Sequence, residues 1–292
     1  MLTEQIVNGL AIGSMYALIA IGYTMVFGVL ELVNFAHGSV YMFSSYITWV
    51  LYSALLPHFW QAFLASIAVT GIVGCLIDVI GLRRLRRKKA PKIAALISTL
   101  GISTILEQIV QIVWGTDAKP FPMVLHFGTV QLFGCSIKGS QLMILLTAIV
   151  LMAVLSVFVY RTSLGKAMQA VAQDAEAARL MGIPVERIIT LTFMLGSALA
   201  AVAGTLVATY YQSIDTGMGF TVGMKALSSA VLGGVGNLPG AMLGGLLVGV
   251  IETLAAVYVS SGYRNAIAFV ILITIILVKP NGLFGKAQTT KV

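Results

Sequence analysis

Apolar residues run in long stretches near Ile6 to Leu30, Val40 to Leu56, Phe59 to Leu82, Ile93 to Trp114, Leu142 to Tyr160, Ile188 to Tyr211, Met224 to Val235, Ala241 to Val259 and Ala266 to Val278, with polar residues gathered in the gaps. A helix needs about 20 apolar residues to cross roughly 30 Å of hydrocarbon. Most of these stretches reach that length, and 292 residues leave room for about eight or nine spans plus loops. Met224 to Val235 is short for an unstrained crossing and reads as a half-helix or a re-entrant segment. All seven prolines, at positions 57, 91, 120, 122, 184, 239 and 280, lie at or beyond the ends of the stretches, as continuous helices require. The expected fold is an all-α polytopic membrane protein, with residues 1–292 forming one transmembrane domain.

Composition sharpens this. The chain is 59% apolar and 10% charged, where a globular domain carries about a quarter charged residues. Thirty glycines suit closely packed membrane helices and exclude a disordered, collagen-like or disulfide-stapled chain. Cys75 sits in an apolar run and Cys135 in a loop, so free thiols are expected. The start MLTEQ has no Lys or Arg before its apolar stretch, so no cleavable leader is readable and the first span acts as the insertion signal.

The net charge of +8 is concentrated rather than spread. Arg83, Arg84, Arg86, Arg87, Lys88, Lys89 and Lys92 share one loop, Arg161, Lys166, Arg179 and Arg187 lie in the polar insertion 161–187, and Lys279, Lys286 and Lys291 lie near the C-terminus. Positive residues mark cytoplasmic segments, so these three are placed inside, and two spans between the first pair put 115–141 outside as the main external loop. Three spans before Arg83 put the N-terminus outside. No aromatic residues interleave with the basic run to stack bases, and nucleic acid is not a predicted partner.

Two polar or glycine-rich clusters lie at membrane depth. Asn34-Phe35-Ala36-His37-Gly38-Ser39 separates two apolar stretches, and polar groups there face a cavity or the bundle interior. His37 reads as a satisfied structural histidine, since His58 and His126 offer no metal spacing with it. Val231 to Gly245 contains Gly233, Gly234, Gly236, Gly240, Gly244 and Gly245 and reads as a tight interhelical turn. Its glycines serve close packing or line a path. Asn34, His37, Gly38, Gly233, Gly234, Gly236, Gly244 and Gly245 are therefore the pathway or packing candidates. There is no GxxxxGK[ST] phosphate loop and no recognisable catalytic constellation, so no bound cofactor, metal or enzymatic activity is expected of this chain.

Within 161–187, Thr162 and Ser163 can cap a helix whose apolar positions Leu164, Met168, Val171, Ala175 and Ala178 step by four, three, four and three, ending at Gly182 before Pro184. Such a helix lies in the interface or docks a soluble partner. Glu176-Ala177-Ala178-Arg179-Leu180-Met181-Gly182 matches the EAAxxxG loop of ABC importer membrane subunits. Gly9 to Gly22, Asn34 to Gly38, Ala230 to Gly245 and Pro280-Asn281-Gly282-Leu283-Phe284-Gly285, in this order, resemble the branched-chain amino-acid permease family over essentially the whole chain. The looser consensus continues to an IxLP element, whereas here Gly182 runs directly into Ile183-Pro184.

The resemblance implies a type II importer permease in the bacterial inner membrane. It implies as partners a second homologous permease, two ATPase subunits that hold ATP and Mg, a periplasmic substrate-binding protein and membrane lipid. Carried over by position, Glu176, Ala177, Ala178 and Gly182 form the ATPase-coupling helix. The cargo is expected to be leucine, isoleucine and valine, with urea, amides or aromatic acids as alternatives within the family. An ion-coupled carrier using Glu31, Glu107 or Glu252, or a membrane scaffold, is the rival from another class.

Overall fold

The computed structural model describes residues 2–122, 128–132, 135–279 and 282–285. His126, Pro280, Asn281, Lys286 and Lys291 lie outside the described residues, as does the side chain of Cys135.

The elements are α1 (Leu2–Leu30), α2 (Ala36–Val50) with a π-helical continuation Leu51–Leu55, α3 (Phe59–Leu76) running through a π-helical segment Ile77–Leu82 into α4 (Arg83–Arg87), and α5 (Lys92–Trp114). Three short strands follow, β1 (Lys119–Pro120), β2 (Thr129–Leu132) and β3 (Cys135–Lys138), then α6 (Gly139–Arg161), α7 (Ser163–Gln173), α8 (Ala175–Leu180) and α9 (Val185–Tyr211). The chain continues through β4 (Ser213–Ile214), α10 (Met218–Gly233), α11 (Leu238–Tyr258), a 3-10 turn Ser261–Tyr263 and α12 (Arg264–Val278).

Among the described residues seven helices are long and apolar enough to cross a membrane: Leu2–Leu30, Phe59–Arg87, Lys92–Trp114, Gly139–Arg161, Val185–Tyr211, Leu238–Tyr258 and Ser261–Val278. α2 and α10, of 15 and 16 residues, are shorter and are buried between them. A helix that is apolar all round needs neighbours all round, and α1 sits in the centre with α9, α10 and α11 against it. α3, α5, α6 and α12 form the outside, presenting Ile72, Ile112, Val154 and Leu277 outward.

Small residues set the closest crossing. Gly9, Gly13 and Ala17 of α1 meet Gly245 and Gly249 of α11, and a Cβ built on Gly249 would stand 2.2 Å from the Gly13 Cα. Spacing by four keeps these residues on one face of each helix, letting the backbones touch. Hydroxyls tie the neighbours together: Ser39 and Ser103 are 2.7 Å apart between α2 and α5, and Thr48 and Thr205 are 2.9 Å apart between α2 and α9.

Contacts at the two ends fix how the helices alternate. At one end β1 pairs with β4, and the Asn8 Oδ1 accepts from Gln141 and from Tyr210. At the other, basic end Lys92 bonds Glu31 at 2.6 Å and Arg86 bonds Glu186 at 2.9 Å.

Several expectations need correction. The run Arg83 to Arg87 is helix, not loop, because α3 continues through its π-helical segment. Met224 to Gly233 is the later part of α10, which reaches back to Met218 through the small residues Gly219 and Gly223, while Gly234 and Val235 lie beyond its end. α6 begins at Gly139, inside the expected 115–141 loop, and Cys135 opens a strand paired with β2. The helix expected from Leu164 to Gly182 is two helices. Asp174 takes an extended conformation (φ −160°, ψ 104°) and its carboxylate accepts from the Glu176 and Ala177 N–H groups at 2.9 Å each. A side chain that satisfies the next helix's free N–H groups competes with helix continuation, so Asp174 ends α7 and starts α8.

Candidate functional site

The basic end is built around α7 and α8. The Thr162 hydroxyl accepts from the Gly165 N–H at 3.1 Å and so caps α7, which buries Met168 and Val171 and leaves Leu164 largely exposed. α8 carries Glu176, Ala177 and Ala178. Ala178 is buried, while Leu180 and Met181 are 89% and 83% exposed, an apolar tip that no neighbour among the described residues covers. Gly182 stops the helix with φ +83°, a conformation that costs a side-chain-bearing residue about 1–2 kcal/mol.

Behind α8 lies an ion-pair cluster. Asp78, fully buried on the π-helical segment, accepts from Arg86 at 2.5 Å and from the Thr190 hydroxyl at 2.6 Å. Arg86 also reaches Glu186 at 2.9 Å, Arg83 donates to Thr190 at 2.7 Å, and Arg179 of α8 lies 3.9 Å from Glu186. The cluster therefore joins α8, the first turn of α9 and the α3–α4 junction. π-helical segments of this kind recur at functional sites.

The glycine tract separates into two kinds of residue. Gly233, Gly244 and Gly245 face backbone: a Cβ would come within 2.0 Å of the Gly240 oxygen, 2.1 Å of the Ser229 oxygen and 2.4 Å of the Ala17 Cα respectively. Gly234 and Gly236 instead have φ of +103° and +88° and form the turn between α10 and α11. Residues 282–284 close over it. The Leu283 and Phe284 N–H groups donate to the Leu232 and Gly233 carbonyls at 2.8 and 3.2 Å, and the Asn237 amide donates to the Phe284 carbonyl at 2.8 Å. The described part of the PNGLFG motif is thus a clamp on the glycine turn.

Asn34 and His37 belong to the buried start of α2. The Asn34 side chain accepts from the Ala36 N–H at 3.2 Å, and the His37 ring fits against Gly22 and meets Tyr23 edge-on with centroids 4.7 Å apart. Gly38 lies under α10, where a Cβ would stand 2.5 Å from the Gly219 oxygen. His37 therefore meets α1 and Gly38 meets α10, while Asn34 bonds the first N–H of α2. Among the described residues no group of three or more His, Cys, Asp or Glu converges on a metal position.

A buried ionic group escaped the sequence reading. Lys225 of α10 reaches Glu252 of α11 at 2.8 Å, Arg264 approaches the same carboxylate at 3.1 Å, and the Tyr16 hydroxyl donates to it at 3.3 Å. Charges at this depth persist only when paired. A single lysine in an apolar stretch, in the same chain as Glu252, was the available signal.

This architecture is that of a multi-pass helical membrane protein, and the chain belongs to the family described as the branched-chain amino acid transport system / permease component, matched over residues 5–278. It is a protein of the bacterial inner membrane. It is similar to two high-affinity branched-chain amino acid transport system permease proteins. BraD of Pseudomonas aeruginosa is 41% identical and LivH of Escherichia coli K12 is 38% identical, each over 99% of this chain and 97% of the relative. The ribose import permease protein RbsC of Haemophilus influenzae is 26% identical over 97% of this chain and 87% of its own length, so related chains serve different cargo.

Proposed function

We propose that this chain is the transmembrane permease subunit of an ATP-binding-cassette importer that carries leucine, isoleucine and valine across the inner membrane. Its partners are a second homologous permease, two ATPase subunits that hold ATP and Mg, and a periplasmic substrate-binding protein. The observation that carries this reading is the Thr162- and Asp174-capped pair α7 and α8 between two spans, in a chain 38–41% identical end to end to branched-chain amino-acid permeases.

α8 then rests on the ATPase surface through Leu180 and Met181, with residues 161–187 cytoplasmic and residues 115–141 external. Counting α2 and α10 as crossings gives nine, of the type II importer class. The end contacts agree, because Glu31, Lys92, Glu186 and Gly282 all fall on the basic side. The N-terminus is external. Movement of α8 reaches α9 through Gly182 and reaches the α3–α4 junction through Glu186, Arg86 and Asp78, opening the path alternately to either side.

Reconstitution with the cognate ATPase and binding protein tests the proposal. Labelled leucine should accumulate in proteoliposomes only with ATP and the loaded binding protein, and isoleucine and valine should compete. Uptake by this chain alone under a proton or sodium gradient would replace the importer with an ion-coupled carrier. Competition by urea, amides or aromatic acids instead would reassign the cargo.

A further inference from the structure

α5 has three faces rather than two. Ala95, Thr99, Leu106 and Val110 are buried against the bundle, with Ser103 bonded to Ser39 on the same side. Ile105, Ile109, Ile112 and Val113 point outward and suit lipid. At about 100° per residue, Gly101, Thr104, Glu107, Gln108 and Gln111 fall together within about a third of the circumference, with the exposed Ile97 and Leu100 beside them toward the Lys92 end. Thr104 and Gln108 are exposed, Glu107 and Gln111 half-exposed, and a Cβ built on Gly101 would meet nothing within 4 Å.

Bare hydrocarbon is a poor neighbour for this third face. Glu107 lies well inside the 23-residue span, seven residues from its Trp114 end, where a carboxylate or amide facing lipid carries a large penalty. The outward faces of α3, α6 and α11 at comparable positions show Ile72, Val150, Val154 and Leu247 instead. The Thr104 hydroxyl donates to the Leu100 carbonyl at 3.1 Å, while the longer polar side chains are only loosely engaged. The Gln111 amide donates to Glu107 at 3.3 Å and the Gln108 amide donates to Gln111 at 3.3 Å, contacts long enough to exchange for a ligand.

We infer that the Gly101–Thr104–Gln108 face of α5, with Glu107 and Gln111, lines the amino-acid path where this chain meets the second permease subunit. The inference rests on the importer reading and names the groups that contact its cargo. A backbone without a side chain at Gly101 admits a close partner helix. Glu107 offers a counter-charge to the substrate ammonium and the Thr104 hydroxyl oxygen an acceptor for it, while the two glutamine amides offer donors to the substrate carboxylate. Ile97 and Leu100, exposed in the same sector, supply apolar surface to an aliphatic side chain.

Single cysteines at Thr104, Gln108 and, as a lipid-facing control, Val150 are placed in a chain lacking Cys75 and Cys135 and assembled into the full complex. A small water-soluble thiol reagent should modify Thr104→Cys and Gln108→Cys and leave Val150→Cys unmodified. Saturating leucine-loaded binding protein with ATP should change the rate at the first two by at least threefold. Glu107→Gln should raise the KM of leucine uptake by about tenfold, with Glu107→Asp restoring part of the loss. If Thr104→Cys and Gln108→Cys are as unreactive as Val150→Cys, or Glu107→Gln transports with unchanged KM, the face is not the path. Failure of the importer reading is distinguishable, because the unsubstituted complex would then show no uptake dependent on ATP and binding protein.

Discussion

Arg86 and Asp78 meet at 2.5 Å with the carboxylate fully enclosed, so the basic end of α3 is anchored by a charge that has no access to water. Removing one member of a buried pair strands the other, at a cost of roughly 3–5 kcal/mol. Asp78→Ala and Arg86→Ala should each lower the thermal midpoint of the purified complex sharply. Arg84→Ala, whose side chain is in none of the pairs around Asp78, should leave it near the starting value. Equal midpoints for all three would remove the cluster from the structural account.

Lys225 and Glu252 allow a cleaner separation of pairing from burial. Lys225→Met or Glu252→Gln alone should destabilise by about 3 kcal/mol or more, while the double variant should lose less than the sum because no charge is left unmatched by the other. Arg264 remains beside the site, so recovery is expected to be partial. The check is a double-mutant cycle on unfolding in detergent, and strict additivity would count against direct coupling.

Orientation is open to direct measurement. In a background lacking Cys75 and Cys135, Lys88→Cys and Glu176→Cys should be shielded from an impermeant thiol reagent in intact cells, and Asp117→Cys should react. Labelling of either of the first two from outside would invert the topology.

Asp174 and Gly182 set where α8 points. Asp174→Ala removes the cap, at a local cost of about 1 kcal/mol, and favours one straight helix that carries Glu176 away from its present place. Gly182→Val adds about 1–2 kcal/mol of backbone strain at φ +83°. Both variants should insert and assemble yet hydrolyse ATP with much reduced leucine uptake. Normal uptake by both would leave α8 as an interfacial segment.

The spans are legible in the sequence because hydropathy sums over some twenty residues and tolerates local error. Thr162 and Gly182 are legible for a different reason: a cap and a stop are written in their own immediate neighbours. Asp174 defeats the same reasoning, since the four-three-four-three spacing from Leu164 to Ala178 suits one helix and only the competing bond to the Glu176 and Ala177 N–H groups divides it. Long-range pairs are the least legible. Nothing local connects Lys225 with Glu252 or Arg86 with Glu186, 27 and 100 positions apart, and only folding brings them together. The glycines are an intermediate case. Their abundance signals tight packing, yet which of them touch backbone and which adopt positive φ depends on partners such as Ala17 and Gly282.

The clamp of residues 282–284 over the glycine turn sets an order of events during synthesis. Asn237 leaves the ribosome 47 positions ahead of its partner Phe284, and α11 and α12 must both be delivered to the membrane before the turn between α10 and α11 gains its last backbone bonds. Until then the Leu232 and Gly233 carbonyls stand open at the face where soluble subunits would approach. The closing of that end therefore waits on the placement of the final two helices, and a chain with α12 misplaced would leave these carbonyls without their closing donors.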